Sequence, residues 1–393
     1  MIFFAEHPRA RWAVPAAAVA VVAATGLATT RTASADAGLQ PRTAAQLLVD
    51  LQKADLESLS GTVVQTSDLG LPQIPGLTGG APGGGAGGDT SLTSALSGTH
   101  TWRVWFAGPQ KTRLALVGSL GESDVIHNGG DVWLWSSADK TAVHTTLPAD
   151  LATGKPGSGK PGLGKPGATG ETPSLAPTDL PKTPDEAAAM ALAALDPTTS
   201  VTTSGTAVVA GRQAYELVLR PKDAATRVAQ VRIAVDSEKR IPLRVQVYST
   251  KLANPAIEVG FSAVDFATPD ARQFAFNPPA GTTVTESSAV TGSQAPGAKS
   301  PANAAPPTGA VKPKVVGTGW SSVVVATLPP QDSSSTQQNQ LQGMLQVLPK
   351  TSGAWGSGRV VDGTLFSAVL TDDGRVAVGA VAPEVLYAAL AAK

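Results

Sequence analysis

Three tracts dominated by glycine, proline, serine and alanine cut this chain into pieces, and only what lies between them can build a core. The chain is 393 residues long with 41 Gly and 31 Pro, crowded into 70–90, 151–182 and 283–314. In the second tract Gly-Lys-Pro-Gly recurs at Gly154, Gly159 and Gly164. Such stretches bury too little side chain to offset the entropy of ordering their backbone, so the first two read as excursions from a domain and the third as a linker between domains. The boundaries that follow are 1–35 for an export segment, 39–282 for a large domain, 283–314 for a linker and 315–393 for a small α+β domain.

The amino-terminal segment has the order of an export signal. Arg9 and Arg11 precede an apolar run from Trp12 to Ala24, and Ala33-Ser34-Ala35 supplies small residues before Asp36. That run is shorter than the ~20 residues a helix needs to span a bilayer, which favours a cleaved signal over an uncleaved anchor. Either option places the remainder outside the cytoplasm, secreted or anchored at the outer face of the membrane. The balance of 30 Lys+Arg against 30 Asp+Glu gives no polyanion-binding bias, and nucleic acid is not an expected partner. With no cysteine, disulfides, thiolate-ligated zinc and cysteine-linked lipid anchors are all excluded.

Between the tracts the apolar period changes from helical to strand-like. Ala45, Leu48, Leu51, Leu56 and Leu59 predict an amphipathic helix over 42–57, with Thr43 as its N-cap. Gly61 to Ser67 is a strand candidate. From His100 the period is two, with Trp102, Val104 and Phe106 alternating with Thr101, Arg103 and Trp105. Further strands are predicted at 111–117, 124–127, 132–135 and 140–145, with Asn128-Gly129-Gly130-Asp131 as a turn. After the second tract, 184–195 reads as a helix and 200–209, 213–220, 227–236, 243–248 and 256–266 as strands. Beyond the linker, strands are expected at 320–327 and 375–381 and helices at 337–348 and 383–392.

No constellation for catalysis or metal binding is legible, and no cofactor is expected. His100, His127 and His144 fall one to a strand without ligand spacing, and the glycine-rich tracts lack both the dinucleotide and the phosphate-loop context. No Gly-x-Ser-x-Gly elbow occurs. The aromatic residues are the better lead. Trp133 and Trp135 alternate on one strand and so share a face, and with Leu48, Leu51, Trp102 and Val104 they are candidates to line a hydrophobic cavity for an acyl chain. The same rings serve equally as core beneath the first helix.

This order of elements, with the hairpin from Val231-Arg-Ile-Ala-Val-Asp236 to Ile241-Pro-Leu-Arg-Val245, resembles the lipoprotein carrier and localisation-factor superfamily over about residues 40–280. The resemblance implies a strongly curved antiparallel half-barrel sheet covered by helices, and an acyl lipid or lipoprotein as ligand. The hairpin matches the family's Asp…Gly-x-Pro-Leu pattern at Asp236, Pro242 and Leu243, but Ser237-Glu-Lys-Arg240 lacks the usual glycine. Trp355-Gly-Ser-Gly-Arg359 and Arg375-Val-Ala-Val-Gly-Ala380 resemble the small domain of a periplasmic regulator that binds the extracytoplasmic part of an anti-sigma factor. That implies Trp355, Arg359 and Arg375 as partner-binding candidates. The Ala/Gly-rich insertions depart from that regulator and resemble an actinobacterial chain. The expected function is a non-enzymatic, membrane-proximal lipid or lipoprotein carrier, with an anti-sigma-binding envelope-stress regulator and a structural envelope protein as alternatives.

Overall fold

A computed structural model describes residues 39–70, 97–119, 121–147, 198–288, 313–327 and 348–392. The expected export segment at 1–35, most of the three tracts, the helix expected at 184–195 and all but the last residue of that expected at 337–348 lie outside these residues.

The chain enters through α1 (Ala44–Lys53), which starts where its capping chemistry dictates. Thr43 Oγ1 accepts from the Gln46 amide at 3.2 Å and Gln46 Oε1 accepts from the Thr43 amide at 3.0 Å. This reciprocal box satisfies two amides that a helix start leaves without carbonyls. The helix ends before Leu56 and Leu59; Leu59 belongs to the first strand, so the helical spacing read through it was coincidental.

The strands of the large sheet are β1 (Ser58–Ser67), β2 (Gly98–Ala107), β3 (Lys111–Val117), β4 (Glu122–Asn128), β5 (Asp131–Ser136), β6 (Thr141–Thr146), β7 (Thr199–Val209), β8 (Arg212–Pro221), β9 (Val228–Asp236), β10 (Pro242–Ser249), β11 (Pro255–Asp265) and β12 (Thr283–Ser288). They pair in the order β12-β6-β5-β4-β3-β2-β1-β11-β10-β9-β8-β7. Every pairing is antiparallel except β12 with β6, which is parallel. The β4–β5 turn sits at the expected Asn128–Asp131, with Gly129 at φ 64°.

The expected strongly curved half-barrel covered by helices is corrected by this structure. The sheet is mixed and open, neither closed nor strongly curled, and the two helices among the described residues are both short. The physical reason is one of reach. A ten-residue helix is about 15 Å long, which matches only about three strands at about 4.8 Å spacing. Accordingly α1 packs over one end of the sheet, where Leu47, Leu48 and Leu51 meet Val201, Tyr215, Leu217 and Ile233. The linker reading also changes at its start, since residues 283–288 form β12.

The second sheet has β13 (Lys314–Val316), β14 (Val323–Thr327), β15 (Lys350–Gly353), β16 (Gly356–Asp362), β17 (Ser367–Thr371) and β18 (Arg375–Gly379), ordered β13-β14-β18-β17-β16-β15. The helix α2 (Pro383–Ala391) covers one face, burying Leu386, Ala389 and Leu390 against Val323, Val369, Ala377 and Trp355.

The two sheets meet through a buried polar joint. Arg227, 6% exposed, lies just before β9. Its Nε donates to Val381 O and its Nη1 to Gly363 O, both at 3.0 Å, and Nη2 pairs with Asp362. Beside it the Arg227 amide donates to Ala380 O at 2.7 Å, Ser249 Oγ to Thr364 O at 2.6 Å, and the Thr364 amide to Leu69 O at 2.8 Å. Val228, Ala256 and Leu365 fill the apolar part of the contact.

Candidate functional site

Cross-strand partners in a sheet project to the same face, so the register decides which candidate side chains meet. Trp102 pairs with Leu116, Leu116 with Ser123 and Ser123 with Ser136. Trp135 adjoins Ser136 in sequence and therefore faces the other way. The six cavity candidates thus divide. Leu48, Leu51, Trp102 and Val104 share the first face, in two clusters, whereas Trp133 and Trp135 project from the second.

On the first face Trp102 is 1% exposed and packs with Leu59, Val63, Val104, Leu114 and Leu116. Its indole Nε1 donates to Gln65 Oε1 at 3.3 Å. Gln65 is fully buried, and neither its Nε2 nor the nearby Ser67 Oγ has a hydrogen-bond partner among the described residues. Buried polar atoms are normally paired, so these two donors stand out on an otherwise apolar face.

The second face carries one continuous row: Trp105, Arg113, Ile126, Trp133, His144 and Glu286 are successive partners across β2, β3, β4, β5, β6 and β12. The Arg113 guanidinium lies 5.2 Å from the Trp105 ring centre and bonds Asp124, whose side chain is wholly buried. Burial chiefly, with Glu122 nearby, pushes the Asp124 carboxyl up to about 6, although the Arg113 charge opposes the rise. Asp124 Oδ1, Arg113 Nε and Trp135 Nε1 are buried without partners among the described residues. Phe276 packs against both indoles, 5.2 Å from the Trp133 ring and 5.7 Å from that of Trp135, and His144 stacks on Trp133 at 4.2 Å.

His144, which the sequence places on a strand without ligand spacing, is joined in the fold to two carboxylates. Its ring nitrogens meet Asp131 Oδ1 at 3.0 Å and Glu286 Oε2 at 2.8 Å. Only the Asn-Gly-Gly-Asp turn hinted at Asp131, and Glu286 fell within a tract read as linker.

The partner-binding candidates in the small sheet separate in the same way. Arg375 donates to Leu390 O at 2.9 Å and Trp355 O at 2.8 Å, tying the end of α2 to the strands, and Trp355 stacks on Tyr387 at 5.3 Å. Both sit on the helix-covered side. Arg359 instead lies on the outer face, in a row with Leu370, Val376 and Ala326, and donates to Leu348 O at 3.0 Å. The next row on that face is Val315, Val324, Val378, Ala368 and Val361. Val315 is 61%, Val324 43% and Val378 38% exposed.

Among the described residues no group of three or more His, Asp or Glu could hold a metal ion, and no helix is long and apolar enough to cross a membrane.

No protein-family model and no curated protein matches the chain. Among solved structures it is distantly similar to the MucA/MucB complex of Pseudomonas aeruginosa, at 15% identity over 87% of this chain and 96% of the other, with a TM-score of 0.38. An uncharacterized conserved protein of Thermus thermophilus is similar at 11% identity over 62% and 98%, TM-score 0.32. A LolA superfamily protein of Nitrosomonas europaea is similar at 11% over 60% and 99%, TM-score 0.21.

Proposed function

We propose that this chain is a non-enzymatic binding protein of the cell envelope that works by holding a protein partner, of the class an extracytoplasmic anti-sigma domain represents. The observation that carries the reading is the outer face of the small sheet, where Val315, Val324 and Val378 stand side by side in solvent. Contiguous exposed apolar rows are the form docking surfaces take, and this row continues beside Leu370, Val376 and Ala326 on the same face. Valine is stiff at χ1, so docking against it costs little side-chain entropy. Arg359 on the neighbouring row adds a cation at the edge of the patch, where charge selects partners more than it adds affinity. The joint at Arg227 supports the reading, because it holds this face in a fixed relation to the large sheet.

A photo-crosslinking residue at Val324 or Val378 in cells, with Lys111 on the large sheet as control position, tests this. Capture of the extracytoplasmic segment of a membrane protein at the two valines and not at Lys111 is expected. Val324→Asp and Val378→Asp should abolish that capture while leaving the unfolding midpoint in place. Equal labelling at all three positions would refute it.

A second reading, an acyl-lipid or lipoprotein carrier, is favoured by one specific observation: the buried, unpartnered Gln65 Nε2 and Ser67 Oγ beside Trp102. An ester carbonyl in an otherwise apolar site would satisfy such donors. Native mass spectrometry of the exported protein, followed by denaturing lipid extraction, tests it. A bound acylated species lost in Gln65→Leu supports the carrier; a bare protein mass that added lipid does not alter removes it.

A further inference from the structure

Strand β12 is held to the large sheet by a backbone ladder at its margin and by a side-chain tie to one histidine. Thr283, Val284, Thr285 and Glu286 are all exposed, Val284 at 42%, so the apolar surface the strand buries is limited to part of one valine. Its parallel ladder to β6, from Thr283↔Thr141 to Ser288↔Thr146, lies at the sheet margin, where water competes for each bond and the net gain per bond is small.

The side-chain tie is Glu286 Oε2 on His144 Nδ1, with Asp131 Oδ1 on His144 Nε2. A neutral imidazole has one N–H, so it can donate to one of these carboxylates and must turn a lone pair on the other. Only the imidazolium donates to both. The Trp133 ring, stacked 19° from parallel, fixes the imidazole plane and favours a cation on its face. The geometry is therefore that of a protonated histidine.

We propose that β12 is a proton-latched strap: an imidazolium at position 144, gripped by Asp131 of β5 and Glu286 of β12, fastens the last strand of the large sheet, and loss of its proton loosens that strand and uncovers the edge of β6.

The charges around the latch agree. Asp131 and Glu286 are the charged groups that touch the ring, while Trp133 and Phe276 behind it are neutral. Farther along the same face Arg113 is engaged by Asp124, Lys111 lies two strands from Asp131, and Asp270 and Arg272 on the turn at Ala271–Phe274 bond each other. Lys140 precedes β6. Burial works against the imidazolium, but the hydrogen bonds to Asp131 and Glu286 and their charges outweigh it, and the histidine is held above its ordinary 6.5. With the folded value raised, the latch is complete below 6.5 and is lost as pH rises through the raised value.

Amide hydrogen exchange of the full chain, corrected for intrinsic rate and followed from about pH 5.5 to about pH 8.5, reads the strap directly. Protection of 283–287 is expected to fall across that range by about tenfold for each unit by which the histidine is raised, while β9 and β10, remote from the latch and from Asp124, hold theirs. Glu286→Gln keeps the shape and removes the charge at a side chain 71% exposed, so the fold survives it. In that variant the His144 ring resonances should titrate at lower pH and the fall in β12 protection should move with them. Protection of β12 that ignores pH, or that follows pH identically in Glu286→Gln, overturns the proposal.

Discussion

Replacing Arg227 with alanine should uncouple the two sheets, and the structure sets the size of the effect. The side chain donates to Val381 O and Gly363 O from a position 6% exposed. Hydrogen bonds from a charged donor contribute about 1.5–3 kcal/mol each, and their loss leaves buried carbonyls unsatisfied. The pair with Asp362 adds little, because that carboxylate is 47% exposed and still accepts from Lys251 Nζ at 3.1 Å. The total is about 3–5 kcal/mol, or about 6–20 °C in a folded unit of this size. Calorimetry and urea unfolding followed separately in each sheet, by exchange at β9 and β17, should show one transition in the wild type. In Arg227→Ala the small sheet should unfold first. Arg227→Lys keeps the charge but cannot fork between two carbonyls, and should recover less than half the loss. A single transition in Arg227→Ala, shifted by less than about 2 °C, would refute the argument that this side chain couples the sheets.

Three further outcomes follow from local chemistry. Arg240 sits at φ 60°, the left-handed conformation that favours glycine, and its 3.8 Å approach to Asp50 is long, while Arg42 already holds that carboxylate. Relief of about 1–2 kcal/mol of strain, less the entropy glycine adds to the unfolded chain, leaves Arg240→Gly more stable by about 0.5–1 kcal/mol, readable as a higher urea midpoint. Asp124, raised from 3.8 to about 6, binds its proton more tightly folded than unfolded; the resulting stability is complete below 3.8 and gone above about 6. Acidification from pH 7 to 4 should therefore add up to about 3 kcal/mol from this group, and Asp124→Asn should flatten that part of the stability profile. At Gly358 an added Cβ would collide with Leu370 O and lie 2.8 Å from Thr371 Cα, both backbone atoms, so Gly358→Ala should force β16 from β17 and cost about 2–3 kcal/mol, measured by thermal unfolding.

Sequence legibility followed the range of the interactions involved. The strands β2 to β5 were readable because alternation is local and because Asn128-Gly129-Gly130-Asp131 supplies the positive φ that a tight reversal needs. The hairpin at Asp236 was readable for a similar reason: its carboxylate accepts from the Glu238 and Lys239 amides, so the motif is a turn cap, held also by Arg212. The missing glycine was visible as a departure, and the structure gives its consequence, since Arg240 occupies the left-handed position itself.

Register and long-range pairing left no such trace. Which face Trp102 and Trp133 occupy depends on counting residues through successive turns, and one residue of slip reverses every side chain. Glu286 meets His144 across 142 positions and Arg227 meets Val381 across 154, distances at which no periodicity links the partners. Thr-Val-Thr-Glu-Ser-Ser is short and polar enough to pass for linker, and it becomes a strand because β6 offers an open edge and His144 a carboxylate receptor. His144 and Arg227 are polar groups whose contacts lie entirely in what the fold brings to them. In this chain periodicity marks the strands, but the contacts between the two sheets and between β6 and β12 include charged pairs that exist only after the topology is complete.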